Sequence, residues 1–148
     1  MFMPDYSITI DENPSFDDIH FLIRNIHEYN ISQTGLEGTL VTLFLKDNDQ
    51  QILGGIHGWT AFNYLHVDIL WLREDVRGQG YGRRLLLATE QEALTRGCRY
   101  AQLDTFSFQA LGFYEKLGYR VFGELDNVAG IHKWYFLTKD LCRSKGKA

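Results

Sequence analysis

The sequence predicts one domain, residues 1–148, of the mixed α/β class. Of the 148 residues, 45% are hydrophobic, which is enough to bury one sizeable core, and no linker-like segment divides the chain. Helical and extended patterns follow one another without strict alternation, which is typical of a mixed class. Three closely spaced glycines join a strongly apolar extended run to an amphipathic helical one, so a strand-to-helix turn of special geometry is expected there.

The first predicted elements are a short strand, SITI, and a helix. Ser15 and Asp18 have the spacing of a capping box, and the apolar residues that follow keep helical spacing to about Tyr29. Three extended runs with turn-rich separators come next and predict a meander. These runs are TLVTLFLK, QILGGIHGWTAF and YLHVDILWL.

The second half of the chain begins with an amphipathic helix from Gly82 that is expected to stop at Gly97. Its predicted apolar face is formed by Gly82, Leu85, Leu86, Thr89 and Ala93. The remaining elements are a strand, CRYAQLDTF, a short helix, FQALGFYEKLG, and two strands, YRVFGEL and HKWYFLTKDL.

The strand before the glycines carries polar residues. Regular alternation would place His66, Asp68 and Leu70 on one face, and Val67, Ile69 and Trp71 on the other. An imidazole and a carboxylate would then share one face of a central strand. Neighbouring groups can satisfy both of them, which is the usual arrangement for a buried histidine. For Asp68, a catalytic or ligand-orienting role competes with that interpretation.

The glycine-rich segment RGQGYG, residues 77–82, can be compared with known phosphate loops. A dinucleotide fingerprint needs glycine or alanine where Arg83 stands, and a P-loop needs Gly-Lys-Ser/Thr, which the chain lacks. Two interpretations remain. Unpaired N–H groups and the helix dipole can bind an anion here, or the segment is a tight turn without a ligand. The spacing alone favours neither.

The segment RGQGYG also resembles motif A of the GCN5-related N-acetyltransferases (GNAT), Gln/Arg-x-x-Gly-x-Gly/Ala. About thirty residues later, QALGFYEKLGYRVFG resembles motif B of that family through Ala110, Tyr114 and the Gly118-Tyr119 pair. One departure is Ser107, which stands where many members have asparagine. The resemblance extends over residues 40–141 and, more loosely, the first helix.

This resemblance implies a fold and a reaction. The expected fold has three layers, with helices on both faces of a mostly antiparallel sheet of six to seven strands and a splay between its two central strands. The expected enzyme is an acetyl-CoA-dependent N-acetyltransferase that transfers an acetyl group to a primary amine by direct attack on the thioester. No metal is expected.

The resemblance also implies where acetyl-CoA binds. Amides from Gln79 to Arg83 would hold the pyrophosphate, with charge from Arg77 and Arg83. The backbone near Trp71 and Leu72 would pair with the pantetheine arm, leaving the Trp71 side chain free to belong to the core, and serine can hydrogen-bond in place of the asparagine. The implied cofactor-binding residues are Trp71, Leu72, Arg77, Gly78, Gln79, Gly80, Tyr81, Gly82, Arg83 and Ser107.

The chemistry of amide formation assigns catalytic roles. By its motif position, Tyr114 would donate a proton to the departing thiolate. Asp68 and His66 are both candidates for the base that deprotonates the amine, and Asp68 is preferred. A backbone N–H near Leu72 would stabilise the oxyanion.

Partners and location follow from composition. A net charge of −4 gives no nucleic-acid footprint, and no apolar run approaches membrane-spanning length. Two cysteines build no disulfide framework, and the N-terminus lacks a signal pattern, so a cytoplasmic protein is expected. The acceptor would be a small-molecule or peptide amine, and a homodimer is compatible with the pattern. Two alternatives stay open: a catalytically silent CoA-binding regulatory module, and a transferase of longer acyl chains.

Overall fold

The computed structural model of the protein describes residues 1–143. The chain divides into two compact units, Met1–Glu37, here called the N-terminal unit, and Gly38–Ala148, here called the sheet unit. That the whole chain is one domain stays a prediction. In the described part of the chain, no helix is long and apolar enough to cross a membrane.

The N-terminal unit contains one helix, α1 (Phe16–Thr34). The predicted cap at Ser15 is confirmed, because the Asp18 N–H donates to Ser15 Oγ at 3.1 Å; the return bond to Asp18 Oδ2, at 2.8 Å, comes from the Ser15 hydroxyl and not from the backbone N–H of a standard capping box. The helix continues five residues past the predicted end and stops at Gly35, whose φ of 69° ends it. The predicted strand SITI is wrong: residues 1–15 contain no strand, since four extended residues need a partner strand that this unit lacks.

The sheet unit contains a six-stranded sheet in the order β1-β2-β3-β4-β6-β5 among the described residues. All neighbouring strands are antiparallel except the β3–β4 pair. The mixed α/β class and the mostly antiparallel sheet are therefore confirmed. The strands are β1 (Thr39–Lys46), β2 (Ile52–Ala61), β3 (Tyr64–Leu72), β4 (Tyr100–Phe106), β5 (Arg120–Val128) and β6 (His132–Asp140).

The two central strands, β3 and β4, pair over a short length only. Their parallel ladder runs from Tyr64 opposite Tyr100 to Val67 opposite Leu103, although β3 continues to Leu72 and β4 to Phe106. Beyond Val67 the two strands are no longer paired. This is the expected splay, and it leaves one backbone edge of β3 without a strand neighbour within the described sheet.

A β-bulge in β3 changes which side chains share a face. Gly58 pairs with Val67 and His57 with Ile69, so Asp68 is an extra residue. A Cβ at Gly58 would lie 2.0 Å from the His66 carbonyl oxygen, so only glycine fits opposite the bulge. The predicted faces are therefore wrong beyond the bulge. Leu70 packs against the core with Val67, whereas Ile69 and Trp71 are exposed.

Two helices of the sheet unit pack against one face of the sheet. They are α2 (Tyr81–Thr95) and α3 (Leu111–Lys116), and α2 contacts β1, β2 and β3. The apolar face predicted for α2 is confirmed, since its buried residues are Leu85, Leu86, Thr89, Glu90 and Ala93. The sequence pattern missed Glu90, which occupies a core position of the helix.

Glu90 is part of a buried polar triad, which also includes Lys139 on β6 and Tyr119 after α3. Lys139 Nζ donates to both carboxylate oxygens of Glu90, at 3.0 and 2.9 Å, and the Tyr119 hydroxyl donates to Oε1 at 2.8 Å. The three residues are only 6%, 7% and 3% exposed, respectively. Such a pair tolerates burial because every charge has a close partner.

We expect Lys139→Met to lower the free energy of unfolding by about 3 to 5 kcal/mol, because it leaves the Glu90 carboxylate buried without a cation. Urea unfolding followed by circular dichroism measures the loss. The matched control is Lys133→Met, which removes an exposed ion pair with Glu124 at 3.4 Å and should cost at most about 1 kcal/mol. Equal losses of stability in the two variants would show that Lys139 does not compensate the buried charge of Glu90.

Candidate active site

The loop between β3 and α2 has a backbone that requires glycine at two positions. Gly78 has φ of 71° and Gly80 has φ of 86°, both in the left-handed region. A Cβ at either position would meet no protein atom within 4 Å, so the space above the loop is open. Gly82 is different, because it lies in the helix and its Cβ would contact the Phe113 ring at 3.4 Å.

The loop presents a row of backbone N–H groups at the start of α2. Among the described residues, the amides from Gln79 to Arg83 donate to no protein acceptor, and the first intrahelical bond is from the Arg84 N–H to the Gly80 carbonyl at 3.1 Å. These amides point out of the first turn, where the helix dipole is positive. The arrangement can hold phosphate oxygens.

Two side chains of the motif A segment hold the loop in shape. Arg77 Nε donates to the Leu72 carbonyl at 2.8 Å, and Gln79 Nε2 donates to the Asp75 carbonyl at 3.1 Å. Arg77 therefore ties the loop to the end of β3, and its remaining N–H groups stay available to an anion. Tyr81 and Arg83 lie in the first turn of α2, beside the free amides.

The surroundings of Trp71 and Ser107, two residues predicted to contact the cofactor, differ from those expected from the sequence. The Trp71 side chain is 51% exposed and is not a core residue; it lines a shallow apolar groove on the sheet with Ile69 and Phe44. The cause is the bulge at Asp68, which reverses the alternation. The Ser107 hydroxyl accepts from the Lys133 N–H at 3.1 Å and lies 3.3 Å from His132 Nδ1. That serine is thus engaged with the start of β6.

The structure brings His66 and Asp68 into direct contact. His66 Nε2 lies 2.8 Å from Asp68 Oδ1, and Nδ1 makes a short hydrogen bond with Gln102 Oε1 on β4. The imidazole also stacks on Trp59, with ring centroids 5.0 Å apart. His66 is mostly covered and Asp68 is partly open, with side chains 19% and 41% exposed. Gln102 on β4 and Trp59 on β2 therefore hold the imidazole, and the imidazole holds the Asp68 carboxylate.

The hydrogen bonds of His66 define two protonation states. An ionised Asp68 only accepts, so His66 Nε2 donates to it. Where the Gln102 carbonyl oxygen faces Nδ1, that nitrogen donates as well and the ring is an imidazolium. A half-turn of the Gln102 amide presents an N–H instead and suits the neutral ring. The contact between His66 and Asp68 is the same in both arrangements, which differ only in the orientation of the Gln102 amide.

Tyr114 on α3 is 8% exposed, and no hydrogen bond of the described residues involves its hydroxyl; since none of their buried side-chain oxygens is unpaired, this oxygen reaches solvent. Burial raises the pKa of Tyr114 to about 12, and the charge of Asp104 contributes in the same direction. The phenol consequently stays protonated at neutral pH. Asp104 lies on β4 beyond the end of the parallel ladder, and it accepts from Trp134 Nε1 at 2.7 Å.

Gln102 and Asp104 are site residues that sequence reasoning missed. Both lie on the face of β4 opposite to the buried Ala101, Leu103 and Thr105. Alternation along β4 was a usable signal for their shared face. Gln102 lies beside His66, and Asp104 lies close enough to Tyr114 to affect its pKa. The first contact depends on how β3 pairs with β4, and a pattern of adjacent residues cannot predict that pairing.

Two further histidines have structural partners. His57 Nδ1 lies 2.6 Å from Thr42 Oγ1, and His132 Nδ1 contacts Ser107. In the described part of the chain, no group of three or more His, Cys, Asp or Glu side chains could hold a metal ion.

Comparison with known proteins defines the family. Residues 6–119 match the acetyltransferase (GNAT) family. The chain is 36% identical over 98 residues to acetyltransferase Atu2258 of Agrobacterium fabrum, covering 66% of this chain and 72% of that protein. It is 39% identical over 93 residues to the blasticidin-S acetyltransferase of Streptomyces morookaense, covering 62% and 68%.

A solved acetyltransferase from Bacillus cereus superposes with a TM-score of 0.72 at 35% identity, covering 89% of this chain and 97% of that one. With the loop, splay and motif residues described above, these matches place the chain in the GNAT acetyltransferase family. The resemblance seen in motifs A and B is thereby confirmed, and the protein is an N-acetyltransferase.

The loop geometry predicts a distinction between two glycines. Gly80→Ala and Gly130→Ala both force alanine into a left-handed conformation, at φ of 86° and 84°, with no atom within 4 Å. Each should cost about 1 to 2 kcal/mol of stability. Only Gly80→Ala should also weaken acetyl-CoA binding, by at least about tenfold, because it reorients the free amides. Calorimetric titration and thermal unfolding measure both effects, and equal affinities in the two variants would contradict the anion site.

Proposed function

We propose that the protein transfers the acetyl group of acetyl-CoA to a primary amine by direct attack of the amine on the thioester. The observation that carries this proposal is the splay beyond Val67, beside which lie the His66–Asp68 pair and Asp104, the residue whose charge acts on Tyr114. Tyr114 has a proton to give, and the His66–Asp68 pair can accept one. Amide formation needs both, because the thiolate leaves as the amine loses a proton.

Acetyl-CoA fits the loop at the start of α2. The free amides from Gln79 to Arg83 suit its pyrophosphate, and the open space above Gly78 and Gly80 lets phosphate oxygens approach the backbone. Arg77 and Arg83 add positive charge. The unpaired edge of β3 beyond Val67 suits the amide-bearing pantetheine arm, with Leu72 at its end. When bound, acetyl-CoA supplies an activated acetyl thioester.

The acid in this proposal is Tyr114. Its hydroxyl reaches solvent and makes no hydrogen bond among the described residues, and its pKa of about 12 keeps it protonated at neutral pH. A group that remains protonated but lies beside a developing thiolate can transfer its proton in the transition state. A backbone N–H near Leu72 would stabilise the oxyanion.

The base in this proposal is the His66–Asp68 pair acting together, directly or through water. Asp68 is the more exposed member and meets the incoming ammonium group, while His66 Nε2 donates to the carboxylate and holds it in place. Gln102 and Trp59 fix the imidazole. Asp68 therefore remains the preferred proton acceptor.

We propose a small-molecule amine as the acceptor. Two carboxylates, Asp68 and Asp104, lie on the open face of the splayed strands and attract a cation. Next to them, the rings of Phe106 and Trp134 lie 5.2 Å apart and form an apolar wall. The relative named for blasticidin S is consistent with this choice.

The proposal is tested by measuring the release of CoA in the presence of polyamines, aminoglycosides, blasticidin S and peptides. If the wild-type protein is inactive with all of these amines, the result favours the silent binding module.

We expect Tyr114→Phe to bind acetyl-CoA normally but to lower turnover about a hundredfold, the low end for a positioned general acid, because a thiolate is already a good leaving group. Steady-state CoA release beside a binding titration separates the two quantities. Tyr100→Phe, which removes a hydroxyl on β4 at the paired start of the β3–β4 ladder and away from the splay, is the control and should match wild type. Turnover within about threefold of wild type in Tyr114→Phe would contradict its role as acid.

We expect Asp68→Asn and His66→Gln to lower the rate most at low pH. Without the base, turnover depends on the small fraction of amine that is already unprotonated, and that fraction falls as pH falls. Because the two residues act as one unit, the double variant should lose little more than the worse single one. Rate profiles from pH 6 to 10 test this. Parallel profiles for all variants would show that the amine loses its proton to solvent.

A further inference from the structure

The mechanism above leaves the triad of Glu90, Lys139 and Tyr119 without a task, although it is the best-buried set of ionisable groups in the described chain. Apolar residues would join the same elements as firmly, since a buried ion pair seldom gains stability over well-packed hydrophobic side chains. Hydrogen bonds differ from apolar contacts in being directional. The triad therefore fixes an orientation, and Tyr119 is its only member on the segment that carries Tyr114.

The helix α3 needs such a restraint. It has six residues and no side-chain cap at Ala110, so it cannot hold its own geometry. The Tyr119 N–H donates to the Tyr114 carbonyl at 3.1 Å, and the two rings meet edge to face with centroids 5.9 Å apart. Tyr119 thus contacts both the backbone and the ring of Tyr114.

The other end of Tyr119 is anchored to elements outside α3. Its hydroxyl donates to Glu90 on α2, the helix whose first turn carries the free amides, and Lys139 on β6 fixes the same carboxylate. Burial, and then the charge of Glu90, raise the pKa of Tyr119 far above its ordinary value, so the donor remains protonated. A chain of contacts therefore runs from α2 through Tyr119 to Tyr114.

We propose that Tyr119, held by the Glu90–Lys139 ion pair, is a positioning residue that aims the Tyr114 hydroxyl at the departing sulfur. This inference rests on the proposed function, in which Tyr114 is the acid. Tyr119 touches no reacting atom. Its removal acts on turnover through Tyr114 and leaves the amides of the α2 loop in place.

A double-mutant cycle tests the coupling. With the best amine from the panel, Tyr119→Phe should lower kcat about tenfold and Tyr114→Phe about a hundredfold, and the double variant should stay near a hundredfold, whereas independent effects would multiply to about a thousandfold. The KM for acetyl-CoA should change less than about twofold. Tyr119→Phe keeps the Glu90–Lys139 pair and should fold, which thermal unfolding checks, and Tyr100→Phe is the matched hydroxyl control.

The outcomes separate this inference from the proposed function. If wild type turns over no amine, or if Tyr114→Phe is as active as wild type, the proposed mechanism fails and the assignment of Tyr119 fails with it. If Tyr114→Phe is impaired while Tyr119→Phe is not, or while the two effects multiply, only the positioning role is overturned. Effects that do not multiply, with unchanged affinity for acetyl-CoA, support it.

Discussion

The structure depends on the point at which β3 and β4 stop pairing. A parallel ladder of four residues joins them, and beyond Val67 and Leu103 both strands continue without each other. Backbone groups on this edge of β3 have no strand neighbour within the described sheet, which is costly unless water or a ligand satisfies them. The enzyme thus carries at its centre the kind of edge that an extended amide-bearing arm can complete.

The bulge at Asp68 directly follows Val67, where β3 stops pairing with β4. By adding one residue to β3, it turns Leu70 toward the core and leaves Asp68 and Trp71 on the open face. Gly58 permits the bulge by lacking a side chain where the His66 carbonyl approaches. One backbone irregularity therefore orients the polar pair and the exposed aromatic ring together, at the mouth of the splay.

On the opposite side of the sheet, the buried polar triad joins α2, β6 and the segment that follows α3. Glu90 on α2, Lys139 on β6 and Tyr119 after α3 meet where apolar packing alone would leave small rotations free. The helix with the free amides and the segment that carries Tyr114 thereby share one anchor. In the proposed mechanism, cofactor binding and protonation of its sulfur would therefore depend on one connected set of residues.

The sequence by itself determined what depends on neighbours along the chain. The cap at Ser15, the bounds of β1 and β3, the apolar face of α2 and the glycines of motif A are all local, and each was predictable because a few adjacent residues fix its geometry. The motif spacing also gave the family. The predicted strand SITI was wrong because strand formation depends on a partner, which local composition does not supply.

Only the tertiary structure decided what depends on pairing between distant segments. The contact of His66 with Gln102 follows from the β3–β4 register, and the face of Trp71 follows from a bulge that is defined only against β2. The ion pair of Glu90 with Lys139 joins residues forty-nine positions apart. Local patterns report which residues lie on a face, but burial, pairing and charge compensation arise when separate elements meet, so these features have no signature along the chain.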